Sequence, residues 1–350
     1  MIRFGHLLGT HPSSSDNYFD TVLTVAKASE DVGLDALFYS DHFQFQRPGR
    51  WVRLAQLIAS ALRRGLPYPS LLQKMDEWTR RLAQLYDEDP SLTLPMLECF
   101  TTLAAIAAAT QRIRLGALVA GVPYRNPALL ARMNTTLDVI SHGRCIVGLG
   151  AGWYEEEFRA YGWPFPSVKE RLDGLEDAIR IMKVMLTRRR ATYRGQHYRV
   201  EAALNHPLPI QQPCPPLLIG GSGEQRTLRL VAQYADYANI FGDPLTVARK
   251  LKVLDAHCTA VHRPPSAIIR SNFVSILIAA NARELAHKRR QYKPWLGHAI
   301  VGTPEQVIAG LQAFLDVGIQ YIIFNLPDAH TLEPIHLLAE TVIPALAKRG

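Results

Sequence analysis

The chain has 350 residues, 48% of them hydrophobic, and a formal charge of +8. That apolar share supports a large buried core, and no run approaches the ~20 apolar residues that span a bilayer, so a soluble, cytoplasmic protein is expected. The basic residues come as short runs on helical segments (Arg63-Arg64, Arg80-Arg81, Arg188-Arg189-Arg190, Lys288-Arg289-Arg290); with no longer basic stripe and no interleaved aromatics they read as solvated helix faces, and no nucleic-acid partner is expected.

In chain order, Ile2 to Gly9 reads as a strand, too short and too polar for a signal-peptide core. Tyr18 to Val32 has helical apolar spacing and stops at Gly33. Asp35 to Ser40 is a second strand. Residues 44–94 then break the alternation: they look helical and carry Trp51, Tyr68, Trp78 and Tyr86. An insertion after the second strand suits either a lid or an element of a subunit interface. Met96 to Thr110 predicts a helix, Ile113 to Ala120 a third strand, and Asn126-Pro127 opens a helix running to Ser141. Arg144 to Leu149 is a fourth strand and Lys169 to Leu186 a long amphipathic helix. Ala191 to Val200 alternates around Arg194-Gly195-Gln196, a hairpin signal. Further strands are expected at 216–220, 237–241, 268–279 and 320–325. Helices are expected at 224–234, 245–262, 304–316 and 335–348. Eight short apolar strands alternating with helices predict an α/β fold, a closed parallel (β/α)8 barrel forming one domain over 1–350. Cys99, Cys145, Cys214 and Cys258 are far apart, with no C-x-x-C pair and no histidine at ligand spacing, so neither a disulfide nor a metal site is expected.

Three segments carry candidate chemistry. Ser40-Asp41-His42 closes strand two, and polar side chains at the C-terminal end of a barrel strand face the active-site mouth. Histidine can move a proton near neutral pH, and an adjacent carboxylate can hold or charge it. Gly148-Leu149-Gly150-Ala151-Gly152-Trp153 follows strand four; it lacks the G-x-G-x-x-G dinucleotide spacing, and by itself suits a tight turn. Gly220-Gly221-Ser222-Gly223-Glu224 stands between a strand and a helix start, where free backbone N–H groups and the helix dipole can cradle a phosphate.

Five runs stand in the order found in luciferase-like oxidoreductases: Ser40 to Phe43, Leu115-Gly116 through Tyr124 to Pro127, Gly148 to Trp153, Lys169 to Arg171, and Leu218 to Glu224. The chain resembles the branch dependent on the deazaflavin coenzyme F420. The resemblance implies that Asp41 and His42 lie beside the ring, with His42 handling a proton. It implies a non-proline cis peptide at Leu118–Val119 under the ring. Ala151 and Gly152 would give backbone contacts to the cofactor chain, and Gly220, Gly221, Ser222 and Gly223 would form the phosphate loop. Trp153 departs from the pattern, because sugar-phosphate dehydrogenases of this superfamily carry a catalytic glutamate there; Glu155, Glu156 and Glu157 follow, and acids also suit a helix first turn for structural reasons. The leading expectation is hydride transfer between F420 and a small organic substrate, in a homodimer. A monooxygenase using reduced FMN and oxygen, and a flavin-binding barrel without catalysis, remain open. A phosphosugar isomerase or aldolase is disfavoured, since no strand end offers a lysine base or nucleophile.

Overall fold

A computed structural model describes residues 2–9, 17–44, 95–292 and 299–347. The chain divides into two compact units, Met1–Asp41 with Leu97–Gly350, and His42–Met96. The helical insertion expected at 44–94 lies outside the described residues except for Gln44.

In the first unit the strands are β1 (Arg3–Leu8), β2 (Ala36–Tyr39), β3 (Arg114–Ala117), β4 (Ala120–Gly121), β5 (Cys145–Gly150), β6 (Arg190–Arg194), β7 (Arg199–Leu204), β8 (Leu217–Gly220), β9 (Tyr237–Ile240), β10 (Ile269–Ile278), β11 (Ile300–Gly302) and β12 (Tyr321–Asn325). Parallel pairing runs β1–β2–β3–β5–β8–β9–β10–β12 and returns to β1, which closes an eight-stranded barrel. Each barrel strand begins within one residue of its expected start. The expected third strand is divided, however. A cis peptide at Leu118–Val119 separates β3 from β4, and a run of apolar residues carries no signal of such a break.

The strands are apolar on both faces because both are covered. Leu7, Phe38, Ile146, Leu218, Tyr321 and Ile323 form an inner cluster, and a larger core includes residues from the strands and the flanking helices. At the N-terminal ends of the strands, Arg3 and Arg114 each donate from Nη1 to the Tyr237 hydroxyl, at 3.2 and 2.6 Å. Polar groups there plug the base of the barrel and leave the opposite end for a ligand.

The helices used below are α1 (Tyr18–Asp31), α2 (Cys99–Ala109), α3 (Pro127–Ile140), α4 (Glu155–Ala160), α5 (Val168–Thr187), α6 (Thr227–Tyr234) and α7 (Pro244–Ala260). Helix α2 begins at Cys99 rather than Met96, because Glu98 caps it through the Thr101 N–H at 2.7 Å. Helix α6 begins at Thr227 rather than Glu224: the Glu224 carbonyl bonds the His257 ring at 2.8 Å, and Arg249 takes its carboxylate. The last helix is interrupted by a π turn at Leu338–Val342 just before Pro344, whose ring nitrogen has no hydrogen to donate. The hairpin β6–β7 is tied to α5 by Asp177, which accepts from the Tyr193 hydroxyl (3.0 Å), the His197 N–H (2.7 Å) and the Tyr198 N–H (3.2 Å). No helix among the described residues is long and apolar enough to cross a membrane.

Glu30, at the end of α1, organises the entry to β3. One carboxylate oxygen accepts from the N–H groups of Gln111 (2.9 Å), Arg112 (2.7 Å) and Ile113 (3.0 Å). Burial acts to raise this carboxyl, but the three N–H donors and the Arg112 charge outweigh it and hold the group below the usual glutamate range. A depressed folded-state value adds stability above the unfolded value, and that stability is lost as pH falls through the folded one. Glu30→Gln is therefore expected to cost about 1–2 kcal/mol at neutral pH, and the gap to the parent should shrink in acid. Urea titrations at several pH values check it; a gap that is constant with pH contradicts the assignment.

Candidate active site at the barrel mouth

Asp41 follows the end of β2 and is 3% exposed. Its Oδ2 accepts from the Gly121 N–H at 3.1 Å and from Arg125 Nη1 at 2.7 Å. The other end of that guanidinium donates to Glu98 at 2.7 Å, and its carbon stands 5.2 Å from the centre of the Phe100 ring. Burial pushes the Asp41 carboxyl up from its ordinary value, against the opposing pull of Arg125 and the Gly121 N–H. Asp41 thus ties the end of β2 to β4 directly and, by way of Arg125, to Glu98 at the start of α2. Neither Arg125 nor Glu98 stands out as a site residue in the sequence. Arg125 lies inside the run Tyr124 to Pro127, but Glu98 has no motif and only the folded chain reveals it. His42, the neighbour of Asp41, is the first residue of the second unit.

The cis peptide lies at Leu118–Val119, the position the resemblance implies. Both side chains pack on the inner barrel cluster. Three glycines make room for this stretch. A Cβ on Gly148 would lie 1.9 Å from the Ala117 carbonyl oxygen; one on Gly150 would lie 2.5 Å, and one on Gly220 2.8 Å, from the Val119 methyls. Gly148 and Gly150 are therefore strand residues whose missing side chains admit a neighbouring strand, and the tight turn that the sequence suggests for them is corrected. Ala151 and Gly152 follow at the end of β5, with Ala151 packed on the core and Gly152 at φ +76°.

Gly220 ends β8, and Gly221 turns the chain at φ +127°. Its own N–H is bonded to the Asn239 carbonyl at 3.2 Å, so the expectation that Gly221 offers an N–H to an anion is corrected. Ser222 and Gly223 remain, and their N–H groups bond no acceptor among the described residues. The Ser222 hydroxyl accepts from Lys250 Nζ at 2.8 Å, and the same ammonium donates to the Phe241 carbonyl at 3.1 Å. Burial pulls the Lys250 ammonium below its ordinary value. Among the described residues Lys250 makes no ion pair. A partly buried cation with neutral partners only, beside two open N–H groups, leaves a place for one anion. Sequence reading missed Lys250, which stands on the helix of the next β–α unit.

Trp153 is 65% exposed and stacks on Tyr154 at 5.3 Å between ring centres. Of the three acids after it, Glu155 pairs with Arg159 at 2.6 Å. Glu157 is fully buried and accepts from the Tyr124 hydroxyl, within a cluster of Tyr124, Phe158 and Trp163 rings. Among the described residues no group of three or more His, Cys, Asp or Glu is placed to hold a metal.

The model of a family described as luciferase-like monooxygenase matches residues 82–299, more than half of the chain. The chain is 34% identical over 125 residues to an FMNH2-dependent dimethylsulfone monooxygenase of Pseudomonas putida, covering 36% of this chain and 34% of that one. It is 25% identical over 280 residues to an F420-dependent glucose-6-phosphate dehydrogenase of Microbacterium testaceum, covering 71% and 82%. The matched stretch spans about half the length (48%) of uncharacterized mycobacterial relatives at 34% identity. Among solved structures, an F420-dependent secondary alcohol dehydrogenase in complex with an F420–acetone adduct superposes with a TM-score of 0.73 at 19% identity, covering 99% of both chains.

Proposed function

The chain belongs to the luciferase-like monooxygenase family of oxidoreductases, and from that membership we propose that it moves a hydride between the deazaflavin coenzyme F420, held at the barrel mouth, and a small organic substrate. The observation that carries this reading is the anion cradle: the open N–H groups of Ser222 and Gly223 beside Lys250, with its neutral partners only. A phosphate-bearing ring cofactor fits it, and the glycines around Val119 leave backbone rather than side chains on the adjoining strand ends. When bound, the deazaflavin supplies the carbon that carries the hydride. The protein's share is to hold the ring, exclude water and manage one proton. Ser222, Gly223 and Lys250 would hold the phosphate. The backbones of Leu118, Val119, Ala151 and Gly152 would line the ring and its chain. Asp41 fixes the end of β2, and His42 would handle the proton. We read the second unit as an insertion into a single barrel domain, and the chain as a cytoplasmic homodimer. Light scattering should give twice the chain mass of 39.1 kDa; a single chain mass at micromolar concentration contradicts the dimer.

A second reading, an FMNH2-dependent monooxygenase using oxygen, is favoured by the Pseudomonas putida relative. The two cofactors share the phosphate, so the cradle serves both. Titration of the purified protein with F420 and with FMN, followed by the absorbance and fluorescence of the ring, separates them. Tighter F420 binding is expected; tighter FMN binding moves the assignment to the second reading, and binding of neither defeats both. In the same assay Lys250→Met should weaken the preferred cofactor roughly 10- to 100-fold, the worth of a charged hydrogen-bonding partner, and reduce the salt sensitivity of binding. Gly221→Val, at a φ of +127° that a branched residue adopts only with strain, should also weaken it. Unchanged affinity in folded variants defeats the cradle.

A further inference from the structure

Strand alternation places two polar side chains on the inner wall of the barrel mouth. Phe273 of β10 packs on the inner cluster, and Tyr321 and Ile323 of β12 belong to it. Side chains of a strand alternate between its faces. Ser275 and Asn325, two places beyond Phe273 and Ile323, therefore also face the barrel axis, at the level where β12 ends and a barrel takes its ligand. The two residues are partners in the parallel register of β10 and β12. Both are half-buried.

Residues nearby show how such groups are otherwise settled in these strands. Lower on the same face, the Ser271 hydroxyl donates to the Ala238 carbonyl at 2.9 Å. On the outer face, the Asn272 amide donates to the Ile240 carbonyl at 2.7 Å. The Ser275 hydroxyl and the Asn325 amide nitrogen, by contrast, bond no described residue. Asn325 Oδ1 is sealed without a partner, whereas the amide nitrogen and the Ser275 hydroxyl are not sealed. Paired strands lie about 4.8 Å apart, so two donors on partner residues can reach one oxygen. A carbonyl oxygen has two lone pairs and accepts both.

Apolar surface adjoins the pair. Phe273 is half-buried, and its ring meets that of Phe241, which is 41% exposed, edge-on at 6.4 Å between centres. Lys288 donates to the Ile278 carbonyl at the end of β10 (3.0 Å) and is held by Asp328 (2.7 Å) and Glu333. The cation bonded to this strand end is thus already matched by carboxylates, and an anionic substrate gains nothing from it. We propose that Ser275 and Asn325 select the substrate, a neutral carbonyl compound. Its oxygen accepts from the Asn325 amide and the Ser275 hydroxyl, and its apolar body lies against Phe273 and Phe241. The proposal rests on the cofactor reading above and gives it a substrate class, whichever ring cofactor the barrel holds.

Calorimetric titration of the full chain, loaded with whichever of F420 and FMN it binds more tightly, tests this. The probes are cyclohexanone, methylenecyclohexane (the same shape without the oxygen) and cyclohexanecarboxylate. Cyclohexanone should bind about 10-fold more tightly than either of the others, the worth of one or two neutral hydrogen bonds. Ser275→Ala and Asn325→Leu should each narrow the ketone-to-hydrocarbon ratio about 2- to 10-fold and leave cofactor affinity within about two-fold of the parent. Residues that only brace the fold would weaken both probes alike. Should one variant fail to fold, the other decides. If neither cofactor binds, the reading above fails, and the same titrations on the free chain decide the wall. Absence of cyclohexanone heat, equal binding of ketone and hydrocarbon, tighter binding of the carboxylate, or an unchanged ratio in the folded variants each overturns the proposal.

Discussion

Gly148→Ala is expected to destabilise the barrel by about 3 kcal/mol or more, or to prevent folding. The added Cβ would stand 1.9 Å from the Ala117 carbonyl oxygen, and that oxygen belongs to backbone, which has no rotamer to move to. Nor can the strands part easily. Leu115 and Gly116 are paired with Cys145 and Ile146, and the Leu118 N–H bonds the Tyr39 carbonyl at 2.9 Å. Relief of the contact must therefore displace β3 from β5, and with it the cis peptide stretch and Val119. Gly162→Ala is the control: that glycine has a positive φ of +72°, which Gly148 does not, but a Cβ there meets nothing within 4 Å. It carries only the backbone cost of the conformation, about 1 kcal/mol. Urea unfolding of both variants checks the contrast. A Gly148→Ala midpoint as close to the parent as that of Gly162→Ala would show that β3 and β5 do not approach as described.

The eight strands were legible because burial on both faces writes each one as a short, continuous apolar run, and the helix caps at Asn126-Pro127 and Thr303-Pro304 are local signals. Much of the site was legible as motif but not as physics. Gly148 and Gly150 stood out as glycines, yet a glycine in a turn and a glycine admitting a neighbouring strand look alike in one dimension; only the positions of Ala117 and Val119 tell them apart. Arg125 holds Glu98 from 27 positions away and Asp41 from 84, and Lys250 reaches Ser222 from 28. Such pairings follow from how the β–α units are arranged around the barrel, and no spacing rule along the chain encodes them.

The other large effect concerns His42. Asp41 and His42 are neighbours in the chain, and the sequence alone allowed either to serve the reaction. In the fold Asp41 is a framework residue. Its Oδ2 holds the Gly121 N–H and the Arg125 guanidinium, and Arg125 in turn holds Glu98. Asp41→Asn should therefore act on the framework. It keeps one acceptor oxygen but removes the charge facing Arg125, and its cost should fall on stability and cofactor affinity together. In the proposed reaction the proton falls to His42. If it serves as the general acid or base, His42→Ala should lower saturated turnover by ~10²–10⁴-fold. Cofactor affinity should change far less, because the Ser222–Gly223–Lys250 cradle supplies a separate part of the binding. Measuring affinity, saturated turnover and urea midpoint on the same preparations distinguishes the two roles. A histidine that only packs or orients would show the reverse pattern, with weaker binding or lower stability and turnover within a few-fold of the parent at saturation. That outcome would remove His42 from the chemistry.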